Sequence, residues 1–131
     1  MIHKINKQEI LASGKDHLVL DPSSKLKMVA GDLVELPNGG FQLITNVRPH
    51  YWYSTSQNYQ QATYFYTRSV KKIKSASMIK NKDKSKTILE TSKKESYSDG
   101  DLVYSFGSVW KVKKIMSQHA YDQQLHVKKL D

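Results

Sequence analysis

The sequence predicts a mainly β protein made of small barrels, and three observations carry that expectation. Apolar residues alternate in twos over short runs, an Asn-Gly pair separates two of those runs, and the tetrapeptide Gly-Asp-Leu-Val occurs at 31–34 and again at 100–103. Two-residue alternation sends one set of side chains to each face of a strand. The 131 residues hold one ordinary domain or two very small ones.

A short N-terminal helix is expected at residues 6–13. Asn6 caps it, Glu9 stands three positions on as the capping-box partner, and Gly14 closes the far end. Ile5, Ile10 and Leu11 form its buried edge, and so short a helix depends on tertiary packing. His17-Leu18-Val19-Leu20 reads as a strand. Asp21-Pro22-Ser23-Ser24 reads as a turn, with proline where its fixed φ is already satisfied. In Lys25-Leu26-Lys27-Met28-Val29-Ala30 a further strand is expected, with Leu26, Met28 and Ala30 on one face. Strands at 33–36 and 41–47 flank Pro37-Asn38-Gly39-Gly40, where Asn and Gly both tolerate positive φ, so a hairpin is expected there.

Residues 48–67 read as an aromatic hairpin. His50-Tyr51-Trp52-Tyr53 runs out, residues 54–61 are polar, and Thr63-Tyr64-Phe65-Tyr66-Thr67 returns. Residues 75–98 are rich in Lys and Ser and read as a basic linker or long surface loop, with a helical turn around Ile88. Strands resume at 101–104, 109–115 and 124–130. The layout is residues 1–24 as helix and lead-in strand, 25–74 as a first unit, 75–98 as linker, and 99–131 as a second half unit.

The repeat extends beyond the tetrapeptide. In a gap-free register Phe41 falls on Trp110, Leu43 on Val112 and Val47 on Met116. Val70-Lys71-Lys72-Ile73 and Val127-Lys128-Lys129-Leu130 give the units similar endings. Val47 to Val70 spans 23 positions and Met116 to Val127 spans 11, which assigns 12 extra residues to the aromatic hairpin. Glycine permits a tight turn into the strand, Asp bonds backbone N–H groups there, and one large inward ring fills a very small barrel. These segments resemble SH3-like β-barrel modules of the KOW type. The resemblance implies binding modules that take nucleic acids, peptides or cell-wall polymers through loops and exposed aromatics. The second unit is too short to close a barrel by itself, which leaves tandem barrels and one intertwined domain both open.

The net charge is +9, and residues 70–99 carry +5 of it. A basic excess favours nucleic acid or another polyanion, although a lysine-rich segment is also simply well solvated. If Trp52 and Phe65 point inward, Tyr51, Tyr53, Tyr64 and Tyr66 form an outward ribbon joined by Tyr59. Beside Arg48 and Arg68 such a ribbon stacks bases while cations meet phosphates. The same rings also stabilise a hairpin by cross-strand pairing. Lys71 and Lys72, and Lys111 and Lys113 on the outer face of one strand, complete the expected binding set.

No catalytic residues, metal ligands or cofactor are expected. The chain has no cysteine, its five histidines lack metal-ligand spacing, and it has neither a phosphate-cradling glycine loop nor a nucleophile elbow. It has no apolar run long enough for a membrane span, so a cytoplasmic protein, or a virion or lysis component made in the cytoplasm, is expected. The leading expectation is a non-enzymatic nucleic-acid-binding protein. Its alternatives are an assembly protein of the head–tail joining type from a phage or mobile element, with protein or self-assembly partners, and a peptide- or cell-wall-binding SH3-like module.

Overall fold

The computed structural model describes residues 2–21, 27–54, 59–73, 76–80, 87–92, 94–116 and 122–130. The chain is mainly β, with strands β1 (Ile2–Lys4), β2 (Ile10–Ser13), β3 (His17–Leu20), β4 (Leu33–Glu35), β5 (Phe41–Ser54), β6 (Tyr59–Lys72), β7 (Ala76–Lys80), β8 (Thr87–Ser92), β9 (Leu102–Ser105), β10 (Ser108–Met116) and β11 (Asp122–Lys129). It divides into two compact units, residues 1–69 and residues 70–131. Strand β6 therefore gives its first 11 residues to one unit and its last 3 to the other.

In the first unit the strands are hydrogen-bonded in the order β1-β4-β5-β6-β3-β2. Its core is Ile5, Leu18, Leu20, Met28, Val34, Ile44 and Phe65. In the second unit residues 70–72 take the place of β1, and the order runs on through β9-β10-β11-β8-β7. Its core is built from Ile73, Leu89, Tyr97, Val103, Trp110, Val112, Leu125 and Val127. The two units thus have the same strand order, including a parallel opening pair: Ile2 beside Leu33 in one, Val70 beside Leu102 in the other.

The Gly-Asp corner repeats bond for bond. Gly31 and Gly100 have φ of +97° and +90°, a region costly for any side chain. Gly31 N–H donates to Ile44 O at 2.8 Å and Ile44 N–H to Asp32 O at 2.9 Å; Gly100 N–H donates to Val112 O at 2.7 Å and Val112 N–H to Asp101 O at 2.9 Å. Asp32 Oδ2 accepts from Val29 N–H at 3.0 Å, and Asp101 Oδ2 accepts from Ser98 N–H at 2.9 Å. The opening strand adds a base to each carboxylate: His3 Nε2 at 3.1 Å from Asp32, and Lys71 Nζ at 2.9 Å from Asp101.

These bonds correct the gap-free register. Ile44 is the counterpart of Val112, so Trp110 matches Gln42 and Phe41 matches Val109. The cause is turn length. Leu33 pairs with Leu43, ten positions on, whereas Leu102 pairs with Lys111, nine positions on. The shorter turn is Phe106-Gly107, with both φ positive at 53° and 73°, the backbone of a type I′ turn. Trp110 sits in its unit's core and donates to Ser105 O at 2.8 Å. Phe41 is buried but outside the first core, where Phe65 supplies the ring.

Val70-Lys71-Lys72-Ile73, expected to end the first unit, opens the second. It matches Ile2-His3-Lys4-Ile5: Ile5 N–H donates to Glu35 O at 3.2 Å, Ile73 N–H to Tyr104 O at 3.1 Å, and both isoleucines enter their cores. Residues 75–98, expected as a linker or loop, instead contain β7 and β8, which form a hairpin that packs Leu89 into the second core. The turn and strand expected over residues 21–30 fall partly outside the described residues; residues 27–29 form no strand, although Met28 is buried.

The expected N-terminal helix is absent. Glu9 does return to the Asn6 N–H at 3.3 Å, but a single 3-10 turn, Lys7–Glu9, is all that forms. The next residues pair with β3, Ile10 beside Leu20 and Ala12 beside Val19. Gly14 serves the β2–β3 turn instead of a helix end, its N–H donating to His17 O at 3.0 Å. The Pro37-Asn38-Gly39-Gly40 hairpin forms as expected, with Gly39 at φ +87° and Leu36 N–H bonded to Gly40 O at 2.8 Å.

Candidate nucleic-acid interface

Strands β5 and β6 are each 14 residues long, against 9 and 8 for β10 and β11. Ile44 to Phe65 spans 21 positions and Val112 to Leu125 spans 13, so the first unit's hairpin carries 8 extra residues, fewer than the 12 expected. The difference comes from moving Val70 into the second unit. What the added length carries is aromatic.

One face of this arm packs on its own unit. Tyr64 stands 5.0 Å from Tyr51, 4.8 Å from Tyr66 and 5.8 Å from the His17 imidazole, with which it is stacked. Arg48 lies 5.7 Å over the Tyr51 ring, and Tyr53 OH donates to Leu11 O at 3.2 Å. Burial, then the neighbouring Asp16 carboxylate and the two other tyrosines, holds the Tyr64 hydroxyl above the usual tyrosine range. Asp16 is held below the usual carboxylate range by the hydrogen bond from His17. Three of the four expected ribbon tyrosines are therefore half-buried, and only Tyr66 is exposed.

The other face differs from expectation. Trp52, which an outward tyrosine ribbon requires inside, is 65% exposed, whereas Phe65 is buried. Tyr59 is 76% exposed. His50 Nδ1 meets Gln61 Nε2 at 2.7 Å across the two strands, so Trp52 and Tyr59, each two residues nearer the tip, share the face of that pair. Alternation along 50–53 is real; what it lacks is a core to orient it.

In the second unit the expected lysines separate into two groups. Lys71 is engaged: beyond Asp101 it donates to Ser96 O at 3.2 Å and lies 5.7 Å over the Tyr97 ring. Lys72 and Arg68 are exposed. Lys111 stands directly beside Lys128 on the neighbouring strand, and Trp110 beside Lys129. Lys113 and Lys114 follow at a β-bulge, with Lys114 beside His126. All five lysines of β10 and β11 are exposed, and none makes an ion pair with another described residue. Lys111 and Lys113 are where the sequence places them, on the outer side of one strand; that Lys128 stands beside Lys111 depends on strand register, which residue type alone does not carry.

His126 Nε2 is buried without a hydrogen-bond partner among the described residues, and His119 lies outside them. Among the described residues no group of three or more His, Asp or Glu side chains could hold a metal ion. An open hollow of about 410 Å³ beside β2 is lined by Lys7, Ile10, Leu11, Leu36 and Pro37 among others. No described helix is long and apolar enough to cross a membrane. Comparison with protein-family models, characterised proteins and solved structures found no match.

Proposed function

We propose that this chain is a non-enzymatic nucleic-acid-binding protein that meets the phosphate backbone with the lysines of β10 and β11. The observation that carries this is the direct pairing of Lys111 with Lys128. Like charges opposed on adjacent strands repel, and each such pair costs a few tenths of a kcal/mol or more in the free protein. A polyanion removes that repulsion and releases its own counterions on contact. The SH3-like reading of each unit belongs to the same proposal, supported by the Gly-Asp corner that opens a strand in each.

The test is a salt titration of binding to a labelled oligonucleotide. Affinity falls linearly in log–log form, and Lys111→Gln or Lys128→Gln reduces the slope by about 1 each, whatever the sequence bound. No binding of any nucleic acid at low salt sinks the proposal.

A further inference from the structure

We infer that Trp52 and Tyr59 form a stacking platform for unpaired bases, so that the nucleic acid this chain takes is single-stranded. The inference rests on the nucleic-acid reading above and adds to it the form of the ligand.

Three observations support it. Trp52 and Tyr59 are the two most exposed rings of the chain's β5–β6 hairpin and share one of its faces. The opposite face is occupied by the Tyr51, Tyr64, Tyr66 and His17 cluster and by the Tyr53 bond to Leu11, so the arm is braced on one side and bare on the other. Residues 36–82, which include both strands, contain no Asp or Glu but do contain Arg48, His50 and Arg68. An approaching polyanion meets no carboxylate from these strands.

A π face accepts any base but needs that base unstacked, and a duplex keeps its bases inside. The neighbouring polar groups, His50 and Gln61, already bond each other, which leaves the rings as the contact surface. Of the planar ligands that stack on Trp and Tyr, a single strand is the one whose charge matches the surroundings.

The chain offers a direct probe. Its two tryptophans are Trp52, exposed, and Trp110, buried, so a ligand-dependent change in tryptophan emission reports Trp52. Full-length protein is titrated at low salt with oligothymidylate of about 20 nucleotides and with a duplex of equal length. The expected result is quenching by the single strand, and a loss of about tenfold in its affinity for Trp52→Leu and for Tyr59→Leu, with duplex affinity unchanged within about twofold. If either variant melts early, protection of wild-type Trp52 from iodide by bound oligothymidylate replaces it. The inference is overturned if oligothymidylate binds without altering the emission or the iodide access. It is equally overturned if Trp52→Leu binds single strands as wild type does, or if a neutral oligosaccharide or zwitterionic vesicles quench in its place. Failure of wild type to bind either nucleic acid sinks the broader reading, whereas lysine-dependent binding indifferent to Trp52 sinks the platform alone.

Discussion

Phe106 holds a positive φ, 53°, ahead of Gly107 in the tightest described turn of the chain. A bulky side chain there costs about 1–2 kcal/mol, and Asn is the residue that tolerates it best before Gly. Phe106→Asn is therefore expected to raise the melting temperature by a few degrees in a thermal scan. The converse holds at the corners. Gly31→Ala and Gly100→Ala each destabilise by about 1–2 kcal/mol through backbone strain alone, because an added Cβ meets nothing within 4 Å at either site. Tyr97 sets an alkaline limit. Its burial and its hydrogen bond to Glu95 raise the hydroxyl far above the usual range. The stability it contributes is present below an unfolded tyrosine's pKa of about 10 and is lost as pH rises through the folded value. Phenolate absorbance should show one tyrosine ionising last, together with unfolding, and Tyr97→Phe should move that transition to higher pH.

At the scale of elements, Leu89 is fully buried in a segment whose composition reads as linker. Leu89→Ala is expected to cost about 2–5 kcal/mol, measured by denaturant unfolding, where a linker residue would cost almost nothing. The strand was illegible because a short strand in a small core needs few buried side chains: on β8 they are Ile88, Leu89 and Thr91. The helix misled for the opposite reason. Its local signal was genuine, and the Asn6–Glu9 contact forms, yet Ile10 to Ser13 gain more from β3 than from a second helical turn. The turn at Asn38-Gly39 was legible because Gly39 takes a positive φ at no steric cost, whereas the Phe106-Gly107 turn, whose first residue resists that conformation, was not. Trp52 was not, because the inward face of a strand is defined only while there is a core beside it, and β5 outruns its core after Val47.

At the scale of the whole molecule the repeat is broader than its sequence trace. Six strands in the same order recur, whereas the longest run of identity is Gly-Asp-Leu-Val. The two cores share no residue, so Leu18→Ala and Leu125→Ala are expected to lower stability additively within about 0.5 kcal/mol. A coupling well above that would show that the cores do not act independently. The lysine stripe gives a second, opposed pair of readouts. Lys111→Glu should raise stability by roughly 0.2–1 kcal/mol, by converting a like-charged pair with Lys128 into an attractive one, while weakening oligonucleotide binding. A variant that lost both would mean the stripe is architectural.

The seam between Ser69 and Val70 lies inside strand β6, not in a loop. A protease that must unfurl its substrate finds that peptide bond in a ladder, with Val70 already beside Leu102. Separating the halves by recombination would likewise sever a continuous strand: Leu33 keeps Ile2, and Leu102 keeps its neighbour only where the cut falls ahead of Val70. Rearranged descendants of this chain should therefore carry their joints just before Val70, an ordered position where shuffled modules ordinarily have slack.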